Sequence, residues 1–502
     1  MSEAEVAIIE AKYVLAAPNE LLEDAAVVVQ GKEIVSIGDS IERKRQWPKA
    51  KVFSFPEGLV MAGLVNGHQH GRGLSQIQLG YHDDFLEPWI AGRRARGLLD
   101  GAAVTRLAAA RMIRNGVTTT IHANYAYGTG NYEEELRGQI AAYQSVGIRH
   151  TMCVGAMDQG MTVYPPHEAC FMAGLSEGLQ HWLTRPGAVP YCKDGPSTIE
   201  LMRRLRNEFE GESLVRLCYG PAGPQWVSDE LWKLLADDAL DNDLGIHLHA
   251  LESPAQRDAA SELYPDGVFG HLEKLGAMTD RTVIAHGVWA DDAEIDVLAR
   301  TGACVVRNPG CNIRMRNGIA PLARYLRAGV PIAVGTDNCS MQDDEDLLSE
   351  LRLAGSLGRE ADWNGPPPPT PDDLVAMATI NGAKAAQLGD DIGLLEPGRR
   401  ADIVAFSLDR TRQPYLDPDM PIVEAFMARG MGEDTQMTMV DGRVLYLNGE
   451  YTDTDIGALE AEAADAALAA RIPSDPANTD RTRDLRERLC DHYRGKALDK
   501  AE

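Results

Sequence analysis

Eight apolar, β-branched runs in the middle of the chain constrain its fold more than any other feature. They are GLVNGHQH, GVTTTIHAN, IRHTMCVGAM, LVRLCYGP, LGIHLHALE, TVIAHGVWA, ACVVRNPG and PIAVGTDN, and helical patterns separate them. Near-continuous apolar strands are those covered on both faces, and their alternation with helices implies parallel βαβ units. Eight units of this kind predict an α/β protein with a closed (β/α)8 barrel, its structural rival being a doubly wound open sheet. The flanks read differently. EVAIIEAKYVLA, DAAVVVQGKEIVSIGD and KVFSF at the start, and RADIVAFSLD and TQMTMVDGRVLYLNGEY near the end, are short strands with turn signals between them. Asp441-Gly442 and Asn448-Gly449 are strong hairpin dipeptides. The two flanks are expected to share one sheet domain.

Metal-ligand residue types recur where those runs end. His68 and His70 stand two apart at the end of the first run, so side-chain alternation turns both imidazoles to one face, where both can bind one ion. Taken alone, such a pair is as readily a surface or core feature. His247 and His249 end the fifth run with Glu252 three residues on, His286 ends the sixth, and Asp337 ends the eighth. Barrel enzymes carry their chemistry at the carboxyl ends of their strands. His122, at the end of the second run, faces the same mouth on this reading.

The ordered set of HxH, HxxE, AHG and GTDN resembles the amidohydrolase superfamily, and within it the branch of aminohydrolases and chlorohydrolases acting on triazines, guanine and S-adenosylhomocysteine. GVTT, TINGAKAAQLG, IGLLEPGRRADIVAF and VDGRVLYLNG extend the likeness over nearly the whole chain. The resemblance implies a composite β-sandwich from residues 1–60 and 393–452, a hydrolase barrel over 61–392 and a helical tail over 453–502. It implies that His68, His70, His249 and Asp337 hold one divalent metal, Zn²⁺ or else Fe²⁺ or Mn²⁺, with a position left for water. Glu252 is then the proton shuttle, His286 the partner of the water or the developing oxyanion, and Asp337 a helper in removing the water's proton. His247 falls outside the ligand set, behind His249. Binuclear members carry a lysine on the fourth strand; LVRLCYGP has none, so one ion is expected.

The substrate is less constrained. Asn312 and Arg314 lie in the loop Asn308 to Pro321, which resembles the family's substrate-facing segment, but Gly310-Cys311 departs from the Pro-x-Ser-Asn form common in deaminases. Arg314 and Arg316 read either as carboxylate binders or as solvated loop arginines, Trp89 either as a stacking wall or as an anchor for its helix, and His122 either as a substrate contact or as a residue orienting a ligand. Two hydrolytic readings stay open: loss of ammonia, an amine or chloride from an N-heterocycle, or cleavage of an amide, urea or carbamate. A non-catalytic binding protein on the same barrel is the remote alternative.

Composition narrows the partners. The 502 residues carry 49 Lys and Arg against 75 Asp and Glu, a net charge of -26 that repels nucleic-acid phosphates and leaves a small molecule as the expected partner. Eight dispersed cysteines with no CxxC pair point to a reducing compartment. The start, MSEAEVAIIEAKYVLAAP, lacks a basic n-region and an apolar h-region, and no run of 18 apolar residues occurs, so a cytoplasmic protein without a membrane span is expected. The family suggests a homo-oligomer. Residues 157 to 211 read as a long insertion over one barrel end, and the Ala-rich, charged segments after Ile456 as helices lying on the surface or on a partner subunit.

Overall fold

The computed structural model describes residues 5–80, 82–92, 99–124, 130–184, 194–338, 340–471 and 476–499, with side chains to residue 495. Cys192 and Cys339 lie outside these residues, as does part of the 157–211 insertion. The first four strands are β1 (Val6–Ala17), β2 (Glu20–Gln30), β3 (Glu33–Asp39) and β4 (Lys51–Ala62). Each of the eight apolar runs then supplies one strand of a parallel sheet. These are β5 (Leu64–Gln69), β6 (Val117–Ala123), β7 (Arg149–Ala156), β8 (Val215–Pro221), β9 (Ile246–Ala250), β10 (Thr282–His286), β11 (Cys304–Arg307) and β12 (Ile332–Val334). The last four are β13 (Ile403–Ser407), β14 (Thr435–Val440), β15 (Arg443–Leu447) and β16 (Glu450–Tyr451).

Strands β5 to β12 pair in chain order, and the barrel closes where Gln69 bridges Asp337 and the Asp337 amide donates to the His68 carbonyl at 2.9 Å. Closure therefore seats His68, His70 and Asp337 at one seam. The strands splay between β8 and β9, where a single pair, Tyr219 with Ile246, holds the ladder. Small and β-branched residues such as Val65, Cys153, Cys218 and Ala333 fill the interior with Ala383 from the helix Ile380–Ala385. Gly382 is required there, because a Cβ on it would sit 2.7 Å from Val65 Cβ.

The flanking strands form a second sheet in the order β16-β15-β14-β13-β4-β1-β2-β3, joining both ends of the chain through antiparallel β13 and β4. Ile9, Val27 and Val60 from one end share an apolar core with Ile403, Met437 and Met439 from the other. The two hairpin dipeptides adopt positive φ throughout, 51° and 77° at Asp441-Gly442 and 49° and 94° at Asn448-Gly449, as two-residue hairpin turns demand. Buried Arg149 at the start of β7 binds Asp402 at 2.9 Å and Asp441 at 2.7 Å, fastening barrel to sheet.

The tail settles on its own chain. The helix Ile456–Arg471 packs Ala463 against Val104 and Leu107 of the helix Gly101–Arg114. The helix Pro476–Asp499 lays Leu485 and Leu489 against Ala91, Leu179 and Trp182, so it covers both the helix Leu86–Gly92 and the insertion helix Glu177–Thr184. Among the described residues no helix is long and apolar enough to cross a membrane.

Candidate active site

Four imidazoles converge at the barrel's carboxyl end because every one of them is held from behind. His70 Nδ1 meets the Ala123 carbonyl at 2.5 Å, His249 Nδ1 the Ala222 carbonyl at 3.0 Å, and His286 Nδ1 the Asn312 Oδ1 at 2.9 Å. His68 Nδ1 lies 2.8 Å from His247 Nε2, the two rings stacked within 6° of parallel. A hydrogen on Nδ1 of His68, His70 and His249 leaves the opposite Nε2 of each with its lone pair aimed into the shared space.

Asp337 completes the group. Its Oδ1 lies 3.2 Å from His70 Nε2 and 3.5 Å from His68 Nε2, and its Oδ2 lies 3.8 Å from His286 Nε2. Donor atoms of His68, His70 and His249 all lie within 4.8 Å of one another, and so do those of His68, His286 and Asp337. Burial forces three of the imidazoles toward neutrality despite Asp337: it lowers His68, takes His70 to about 4, and holds His249 well below its ordinary value. Burial opposes ionisation of Asp337, yet contacts from His68 and His70 keep it well below the usual carboxylate range. Among the described residues, His68 Nε2 and Asp337 Oδ1 are buried with no hydrogen-bond partner. Neutral nitrogen donors, one ionised carboxylate and orphaned buried atoms aimed at a common point make a donor set that fits a divalent cation.

The backbone at the strand ends is bent to deliver these groups. His286 (φ 78°), Asp337 (φ 56°) and Leu251 (φ 51°), just before Glu252, all adopt left-handed conformations that non-glycine residues rarely take. Gly335 admits the close approach, since a Cβ there would meet the His68 carbonyl oxygen and Asn308 Oδ1 at 2.6 Å.

Glu252 lies next to the cluster, its Oε2 3.6 Å from His286 Nε2. Asn317 Nδ2 donates to Oε1 at 2.9 Å, and the Glu252 amide donates to Gln256 Oε1 at 2.9 Å. Burial pushes the carboxyl up to about 7, with His286 pulling it down and Asp337 and Glu87 adding to the rise. An acid poised near neutrality can both accept and deliver a proton.

Other expected residues sit elsewhere. His122 is fully buried and bonded through Nδ1 to Tyr143 Oη at 2.8 Å. Trp89 is 4% exposed among Leu86, Cys311 and Met315, with the Arg72 guanidinium 5.2 Å from its ring. Arg314 is already taken by Asp83 at 3.0 Å and Asp343 at 2.5 Å and is no free carboxylate binder. Arg316 lies 3.9 Å over the Phe85 ring. Asn312 spends its Oδ1 on His286 and keeps Nδ2 without a partner. The Cys311 thiol is buried beside Asp337 and pushed well up by that burial. Asn317, which holds the Glu252 carboxyl, and Asn308, whose Nδ2 lies 3.3 Å from His286 Nδ1, both fall in the loop Asn308 to Pro321, whose likeness to a substrate-facing segment is the one sign of them in the sequence.

The model of the amidohydrolase family matches residues 59–445. The 5'-deoxyadenosine deaminase of Methanothermobacter thermautotrophicus is 32% identical over 403 residues, 78% of this chain and 83% of that protein. The 5-methylthioadenosine/S-adenosylhomocysteine deaminase of Haloarcula marismortui is also 32% identical, over 78% of this chain and 81% of that protein. Among solved structures, an adenosine deaminase from Xanthomonas campestris with bound zinc superposes with a TM-score of 0.74 at 25% identity, covering 93% of this chain and 99% of that one.

Proposed function

The chain belongs to the amidohydrolase family, metal-dependent hydrolases of carbon–nitrogen bonds other than peptide bonds, and on that premise we propose that it deaminates a small N-heterocycle of the aminopurine kind. Water adds to the ring carbon that bears the amino group, that C–N bond breaks, and ammonia and the ring carbonyl compound are the products. The observation that carries this reading is the placement of Glu252, a buried carboxyl brought to about 7, beside His286 and the converging donor set. The 32% identity to deaminases of adenine nucleosides supports the substrate class.

We assign His68, His70, His249 and Asp337 to one divalent ion, with zinc as the proposed metal. When bound, such an ion supplies Lewis acidity and brings the ionisation of water close to neutral pH. Glu252, fixed through Oε1 by Asn317, accepts the water's proton on Oε2 and returns it to a ring nitrogen or to the departing amine. His286, fixed through Nδ1 by Asn312, presents Nε2 between the carboxylates of Glu252 and Asp337. With a proton on that nitrogen it donates to the oxygen where charge builds. Burial of the whole set strengthens these contacts and excludes bulk water.

Steady-state ammonia release decides the substrate class, measured with 5'-deoxyadenosine, S-adenosylhomocysteine, guanine, a chlorotriazine and a phenylurea. Turnover of an aminopurine is the expected result. Turnover of the phenylurea alone would replace heterocycle deamination with amide or urea hydrolysis, the reading that Gly310-Cys311 keeps in view.

A further inference from the structure

Glu87 is a buried carboxyl that the mechanism above leaves unused. It lies on the helix Leu86–Gly92, is 8% exposed, and among the described residues has no arginine or lysine paired with it. Burial favours its acid form, and a buried carboxyl needs hydrogen bonds in place of water. Two are present, and both end on one oxygen. Ser253 Oγ donates to Glu87 Oε1 at 2.5 Å, and Tyr164 Oη donates to the same atom at 2.9 Å.

Ser253 follows Glu252 directly and caps the helix Pro254–Leu263, its Oγ accepting from the Gln256 amide at 3.1 Å. Gln256 Oε1 in turn accepts from the Glu252 amide at 2.9 Å. Glu252 thus sits on a short circuit of three bonds, Glu252 to Gln256, Gln256 to Ser253, and Ser253 to Glu87. That circuit holds a turn whose Leu251 has φ 51°, a conformation that relaxes without support. Tyr164 brings in the rest of the cover: its ring lies 5.5 Å from Trp226 and 5.9 Å from Tyr493 of the tail helix.

We propose that Glu87 is a positioning residue, whose Oε1 ties the helix Leu86–Gly92 and the insertion that carries Tyr164 to the turn that aims Glu252. The proposal rests on the reading of Glu252 as the proton shuttle. Glu87 works through Ser253 and Gln256, by fixing where the Glu252 carboxyl stands when the cover is in place.

The test compares Glu87→Ala with Glu87→Gln in the full-length, metal-loaded enzyme, measuring kcat, KM and bound metal. Removing the acceptor lets Glu252 drift, and displacement by about 1 Å costs up to ~100-fold, so Glu87→Ala should lose about 10- to 100-fold in kcat, with KM and metal content little changed. The amide oxygen of glutamine still accepts from both hydroxyls, so Glu87→Gln should stay within about threefold of the wild type. Equal losses in both variants, a loss confined to KM, or wild-type kcat in Glu87→Ala would each overturn the proposal. Should Glu87→Ala fail to fold, Tyr164→Phe carries the test, because it removes one donor to the same oxygen; a fall in kcat supports the proposal and an unchanged kcat overturns it. Glu252→Gln, run alongside, separates the two levels. An active Glu252→Gln sinks the shuttle itself, whereas an inactive Glu252→Gln beside a fully active Glu87→Ala sinks only the role of Glu87.

Discussion

The composite sheet and the barrel mouth are both buried, in opposite ways. In the sheet, Ile9, Val27, Ile403 and Met439 pack apolar surface against apolar surface, and Arg149 at its border with the barrel is paired with Asp402 and Asp441. At the mouth, Glu252, His286 and Asp337 are buried together, and His68 Nε2 and Asp337 Oδ1 have no hydrogen-bond partner. Unpaired buried polar atoms destabilise a fold, and where they face a cluster of buried ionisable groups stability yields to function. A substitution in the sheet should therefore lower stability and spare turnover, and one at the mouth should do the reverse.

The sharpest way to break this contrast is His249→Ala. It should reduce bound metal from one ion per chain to near zero and lower kcat/KM by at least about a thousandfold, while the melting temperature of the metal-free protein stays close to that of metal-free wild type. Elemental analysis and calorimetry check it. Glu252→Gln should keep the ion and lose about 10²- to 10⁴-fold in kcat. Because it replaces a buried carboxyl whose ionisation burial opposes up to about pH 7, its melting temperature should match or exceed the wild type. His247→Ala should loosen the metal by about 10- to 100-fold in a competition titration, since it removes the imidazole behind His68 Nδ1.

The pH profile offers a finer test. Glu252 accepts a proton only when ionised, so kcat/KM should be full above about 7 and fall as pH drops through that value. Asn317 favours the charged form through its bond to Oε1, so Asn317→Ala should move this acid limb to higher pH. A limb left in place would detach Asn317 from the proton step. In the sheet, Ile403→Ala should cost about 2–4 kcal/mol in denaturant unfolding and leave kcat/KM within about twofold of wild type.

Much of this was legible in the sequence because local pattern and tertiary demand agree. All eight barrel strands lie where apolar, β-branched runs mark them, and the residues expected to hold the metal meet at the seam where β5 and β12 close. Long-range pairing was not legible. Arg314 is consumed by Asp83, 231 positions earlier in the chain, and loop composition carries no trace of that. The large ring of Trp89 stands out in FLEPWI, while nothing in that stretch marks Glu87. The burial of Glu87 depends on Ser253 and Tyr164, which only the folded chain brings to it. The tail helix could have been placed by Leu485 and Leu489, four apart and both buried, but its long charged face hid that stripe.

The central claim is one ion held by His68, His70, His249 and Asp337, with Glu252 moving the proton. Its most direct test is titration of chelator-stripped protein with Zn²⁺ while ammonia release is followed. The account predicts no turnover without metal and full turnover at one ion per chain. Turnover in the stripped protein, or a requirement for a second ion, would contradict it.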